Sequence, residues 1–211
     1  MMCRQTAVAG ALVVVLCSTP VAGQSVFHGC AMPGNAKMQN AKTLNRKKNR
    51  DTAPRSDQIN AAVTLAALLR KGNDVTRWHD FEGAEITGYV FDVKPGGKET
   101  CNCAAADDEY KDTHIELVAS ASRSDKTERV IVEVSPRWRA KMKKGATDPW
   151  TTDELKSTLL HKWVRVRGWL MFDEEHKGQA ENTNPGNKNN WRATCWEIHP
   201  VTRLVLLDGP P

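Results

Sequence analysis

Between residues 84 and 208 apolar and polar positions alternate in five short runs, interrupted by one helical pattern. Residues 84–94 open the series, with Gly88 near the middle, where a missing side chain permits a bend or bulge. Pro95-Gly96-Gly97 closes that run. Residues 113–119 set Ile115 and Leu117 against His114, Glu116 and Val118, the two-residue period of a strand. Residues 129–135 set Val130, Val132 and Val134 against Ile131 and Glu133, and Pro136 stops the run. Thr151-x-x-Glu154 has the form of a capping box, which predicts a helix over 152–161. Residues 163–172 and 201–207 supply the fourth and fifth strands. Three strands, a helix and two strands is the element order of an OB-fold, a five-stranded barrel that mainly holds oligonucleotides or oligosaccharides. The expected class is therefore mainly β, an OB-fold-like five-stranded barrel with one helix between strands 3 and 4, plus an N-terminal helix.

Upstream of the barrel the pattern changes twice. Ile59, Ala62, Val63, Ala66 and Leu69 recur at helical spacing after Ser56 or Asp57, and Gly72 stops the run. These signals predict a helix over about 56–71 that packs on the barrel. Residues 24–55 have few large apolar side chains and read as an irregular arm, with a short helical turn at 43–50. Before the arm, Arg4, an apolar run over 7–16 and the small residues Val21-Ala22-Gly23 have the layout of an export signal. The run is too short for a comfortable membrane span, which takes about 20 residues. Four segments result: a signal peptide at 1–23, a basic arm at 24–55, a helix and connector at 56–83, and the barrel at 84–208. The expected location is the periplasm or the outside of the cell, with no membrane span.

Export changes the meaning of the cysteines. Removal of the leader takes Cys3 and Cys17 and leaves Cys30, Cys101, Cys103 and Cys195. An even number in an exported chain reads as two disulfides, with Cys101 and Cys103 each reaching Cys30 or Cys195. Zinc is the alternative, but its paired cysteines usually stand two to four residues apart, and these are separated by one. Charge is uneven as well. The chain carries +5 in total, yet residues 37–55 alone hold seven Lys and Arg against Asp51. Such a cluster attracts nucleic acid, anionic lipid or acidic glycan, or simply forms a solvated arm.

Candidate chemistry is concentrated in Trp191-Arg192-Ala193-Thr194-Cys195-Trp196-Glu197-Ile198-His199-Pro200-Val201. Glu197 and His199 are two apart and share one side of an extended backbone. With His114, Glu116 and Glu133 on strands two and three they can form a group of histidines and carboxylates, suited to a metal or to proton transfer. The structural alternative has Glu197 and His199 bracing the turn before strand five. A second candidate is strand four, where Arg165, Arg167 and Trp169 share a face. Arginines beside an aromatic ring are how OB-folds track phosphates and stack bases. The connections at 98–112 and 173–192 are polar, and loops at these positions rim OB-fold binding faces. No Walker loop, Rossmann fingerprint, nucleophile elbow or His-Glu-x-x-His is present, so no cofactor is expected.

Glu99-Thr100-Cys101-Asn102-Cys103, Asp112-Thr113-His114-Ile115-Glu116-Leu117, Gly168-Trp169-Leu170-Met171-Phe172-Asp173 and Trp196-Glu197-Ile198-His199-Pro200-Val201 resemble a family of exported bacterial proteins of uncharacterised function. The resemblance spans residues 44–208 and implies a discrete domain type without a mechanism to borrow. In that family the residue after Cys-x-Cys is often His, where Ala104 stands here, which counts against a metal site built from the cysteine loop.

Three functions follow from these residues. The leading one is an exported binding module for an anionic or polymeric ligand, single-stranded nucleic acid ahead of anionic glycan. Its contacts are Arg165, Arg167 and Trp169, with Lys47, Lys48 and Arg50 adding salt-sensitive affinity. The second is a metal-assisted hydrolase of phosphodiesters built on His114, Glu133, Glu197 and His199, with His114, Glu197 and His199 as the metal-ligand candidates. The third is a structural envelope protein that binds another protein.

Overall fold

Trp163–Phe172 (β4) is the hub of the barrel, because it pairs along its length with both Gly83–Pro95 (β1) and Trp196–Leu207 (β5). Thr113–Val118 (β2) and Val130–Val134 (β3) complete the closed order β1-β2-β3-β5-β4, antiparallel except where β3 meets β5. This is the expected OB-fold-like barrel. The computed structural model describes residues 26–145 and 150–210; the leader at 1–23 lies outside them. Among the described residues no helix is long and apolar enough to cross a membrane.

Alternation places Val130, Val132, Val134, Ile115, Leu117, Val164, Val166 and Ile198 in the core. Thr152–Leu159 (α4) closes one end with Leu155 and Leu159. It opens on the anticipated capping box, in which Thr151 and Glu154 each satisfy the other's backbone amide.

β1 serves two neighbours. Its first half pairs with β4 and its second with β2, and the register shifts between Val90 and Asp92. The bulge therefore lies beyond Gly88. Gly88 has a different reason: a Cβ there would meet Leu65 Cδ2 at 3.0 Å and Leu117 Cβ at 3.2 Å, so its bareness lets neighbours close in.

Four other boundaries differ from expectation. β5 starts at Trp196, not 201, because Pro200 sits where the β4–β5 register shifts and no ladder amide is required of it. Pro136 stops β3 but also opens a helix, Pro136–Gly145 (α3). Ser135 caps that helix and Pro136 brings a preset φ to its first turn. The helix expected over 56–71 shrinks to Leu65–Leu69 (α2), capped by Thr64, behind a 3-10 turn at Ser56–Gln58. Ile59 is instead extended, bridging to Gly83 at the start of β1, and this tertiary pairing overrides the helical spacing. The arm, expected to be irregular, contains a full helix, Gln39–Lys48 (α1).

Candidate metal centre

His114 and Glu133 face each other across the β2–β3 ladder, and Glu197 and His199 follow on β5. All four point to the outside of the barrel, opposite the apolar set that fills it. They are nevertheless buried, because α1 and the cysteine loop lie over this face. This β2–β3 face, with the loops after β1 and β4, is where OB-folds take ligands. This buried polar cluster thus occupies the surface on which OB-folds ordinarily bind.

The donors form a closed ring. Glu99 Oε1 lies 4.0 Å from His114 Nε2, which lies 3.1 Å from Glu133 Oε1 without hydrogen-bond alignment. Glu133 Oε2 is 3.4 Å from His199 Nδ1, and His199 Nε2 is 3.7 Å from Asp112 Oδ1. Cys101 Sγ completes the circle, 3.6 Å from Asp112 Oδ2 and 3.4 Å from Glu99 Oε2. Glu197 Oε2 approaches from the side, 3.6 Å from His199 Nδ1. Ligand atoms from Glu99, His114 and Glu133, from Glu99, Cys101 and Asp112, and from Asp112, Glu133 and His199 come close enough to share an ion. A fourth triad, Asp173, His176 and Glu197, adjoins them.

The outer ends of these carboxylates are held in place. Lys48, from the last turn of α1, donates to Glu99 Oε2 at 2.6 Å and lies 3.5 Å from Asp173. Asn102 Nδ2 donates to Asp112 Oδ2 at 2.7 Å, and the buried Arg192 donates to Glu197 Oε1. His176 Nδ1 meets Asp173 Oδ2 at 2.8 Å. The inward atoms have no such partner. Asp112 Oδ1, His114 Nε2, Glu133 Oε2, Glu197 Oε2 and both ring nitrogens of His199 are buried without a hydrogen bond. Buried polar atoms are rarely left so, and these six are spread around the ring of histidines and carboxylates.

Electrostatics agree with the geometry. Among the described residues, Lys48 and Arg192 are the permanent cations in ion-pair contact with Glu99, Asp173 and Glu197, and Arg139 adds positive charge near Asp112. Burial opposes the charged ring of His199, yet Glu133, Asp112 and Glu197 hold its pKa well above the ordinary value. Burial likewise works against charged His114, and Glu133 outweighs it, pushing the group up to about 9. Burial lifts the Glu133 carboxyl, while Arg192 overcomes burial at Glu197 and brings it down to about 2.

The four residues expected to act together do converge, and Glu99, Asp112 and Cys101 join them. Asp112 and Glu99 could not be distinguished from other loop acids by spacing; only the fold of the 98–112 connection aims them inward. Other expectations need correction. The structure contains a Cys30–Cys103 disulfide, but Cys101 and Cys195 are free, buried thiols. Cys101 points at Glu99 and Asp112 and Cys195 at Thr183, so the second bridge does not form.

The proposed contact face is also redistributed. Trp169 is buried under the arm, its Nε1 donating to Thr52 O at 2.6 Å and its ring covered by Arg50 at 4.8 Å. Lys48 is 1% exposed within the centre. Lys47 pairs with Asp80 at 2.6 Å, and Arg50 donates to the Asp80 carbonyl. Arg167 lies half-buried, 3.7 Å from Glu85, which leaves Arg165 as the exposed member. Glu116 belongs elsewhere, held by Lys94 and by Arg129 at 2.7 Å. No protein-family model and no curated protein matches the chain.

Proposed function

We propose that this chain is an exported, metal-dependent hydrolase whose divalent ion is held by Asp112, Glu133 and His199 on the β2–β3–β5 face. One observation carries the reading: one ligand atom each from Asp112, Glu133 and the fully buried His199 lie within 4.8 Å of one another, with His199 Nε2 3.7 Å from Asp112 Oδ1. That gap is too long for a hydrogen bond. It is close to the separation of about 3.4 Å between neighbouring ligands of one ion bound at about 2.1 Å. A divalent ion would supply Lewis acidity and a water ionised near neutral pH.

The protein's own part is to fix the donors. Lys48, Asn102 and Arg192 each tie one carboxylate oxygen and leave the other free to ligate, the usual task of residues just outside a metal's ligands. His114 and Glu99 are the less buried members, with side chains 11% and 19% exposed, and mark the side from which substrate arrives. Phosphodiesters are the substrate class to test first, because this face and its two rim loops are where the fold accepts oligonucleotides. The Cys30–Cys103 disulfide suits an oxidising compartment, in keeping with export.

The test is metal content of protein purified from an exporting host, followed by hydrolysis of bis(4-nitrophenyl) phosphate and single-stranded DNA. Bound divalent metal, turnover abolished by a chelator and turnover restored by metal are expected. Protein that neither carries nor takes up metal, or turnover indifferent to the chelator, overturns the proposal. Binding of single-stranded nucleic acid or glycan without catalysis has less support, since Trp169, Lys47, Lys48 and Arg50 are engaged within the protein.

A further inference from the structure

Glu133 differs from every other carboxylate of the ring. Glu99, Asp112 and Glu197 each commit one oxygen to an outer donor, respectively Lys48, Asn102 and Arg192, and turn the other toward a histidine. They are built to bind through one oxygen. Among the described residues no Lys, Arg or Asn reaches the Glu133 carboxylate. Its two oxygens instead face two different imidazoles, Oε1 toward His114 Nε2 and Oε2 toward His199 Nδ1. The same carboxylate is the shared member of two donor triads, Glu99–His114–Glu133 and Asp112–Glu133–His199.

A carboxylate shared in this way is a bridge. We infer that the centre is dinuclear, with one divalent ion held by Asp112 and His199, a second by Glu99 and His114, and Glu133 spanning both. This inference rests on the proposed metal centre and adds its nuclearity. Asp112 also belongs to two triads, but it contacts one imidazole only, through Oδ1, and its Oδ2 accepts from Asn102 at 2.7 Å. The second triad carries its own sign of a missing ligand: His114 Nε2 is buried without a hydrogen bond, in a residue 8% exposed. The two ions also occupy different settings. Asp112 and His199 are enclosed, with side chains 1% and 0% exposed, whereas Glu99 and His114, at 19% and 11%, would hold the ion nearer solvent. Paired ions about 3.5–4 Å apart clamp the attacking and leaving oxygens of an in-line displacement, which suits a phosphodiester.

The experiment is a manganese(II) titration of the whole secreted protein with its disulfide intact, read by equilibrium dialysis and electron paramagnetic resonance. Two ions per chain and an exchange-coupled spectrum are expected. His114→Ala should then bind one ion and give the spectrum of isolated manganese, with its fold checked by circular dichroism. One ion in the unaltered protein, with no coupling, overturns the dinuclear centre and leaves the proposed hydrolase standing. No ion at all overturns both. Two ions persisting in a folded His114→Ala protein overturn the assignment of the second ion to this triad. The wild-type stoichiometry decides nuclearity even if the variant does not fold.

Discussion

Asp173 shows how a single side chain is committed by this centre. It is fully buried at the end of β4, beside Lys48, His176 and Arg192. Burial alone would raise its carboxyl, but His176 and Lys48 together hold it well below the usual carboxylate range. An acid depressed in the folded state stabilises the protein wherever the unfolded chain would also be ionised. That contribution is lost as pH falls below about 4, where the unfolded carboxyl begins to take up protons. Asp173→Asn should therefore lower stability at pH 7 by about 1–3 kcal/mol, because Lys48 and Arg192 lose one carboxylate neighbour while keeping Glu99 and Glu197. It should also flatten the acid limb of a plot of urea midpoint against pH; an unchanged limb would show that the carboxylate is not coupled to folding. At this scale the sequence was readable where spacing decides direction. Glu197 and His199, two apart on a strand, share a face as expected. It was not readable for Lys48, which looks like any cation of a basic arm until α1 places its ammonium against Glu99.

Elements were legible where local signals agree with tertiary demand. β4 matched its expected bounds, and the capping box fixed the start of α4. Legibility failed where pairing overrode local preference: Ile59 joins Gly83, and β5 runs through Pro200. Gly168 explains how the latter is possible. A Cβ at this position would lie 2.3 Å from Pro200 O and 2.6 Å from Ile198 Cγ2, so the two strands close only over a bare backbone. Gly168→Ala should cost about 3 kcal/mol of stability or more, measured by chemical denaturation. Because the displaced neighbours flank His199, metal uptake should weaken as well. Full stability in this variant would mean that the strands have room to part, contrary to the geometry.

At the scale of the whole molecule, α1 and the cysteine loop form a lid over the β2–β3–β5 face of the barrel. α1, the cysteine loop and the barrel are joined by the Cys30–Cys103 disulfide, by Asn45 and Asn49 donating to backbone carbonyls of the lid, and by Lys48. The disulfide spans 73 residues of sequence, so cross-linking the unfolded chain contributes about 4 kcal/mol. Cys30→Ser with Cys103→Ser should lose about that amount and open the ring to solvent. Peptide mapping checks the pairing: Cys101 and Cys195 should alkylate on denaturation alone, and Cys30 and Cys103 only after reduction. A second bridge in that map would restore the pairing the cysteine count suggested. The sequence alone determined the barrel, because strand alternation, turn residues and one capping box are local properties that survive in any context. It also determined which residue types are available for chemistry. Only the tertiary structure decided which of them meet. A ring drawn from the cysteine loop, β2, β3 and β5 depends on a parallel β3–β5 contact and on a docked lid, and residues 100 positions apart carry no periodic sign that they will share an ion.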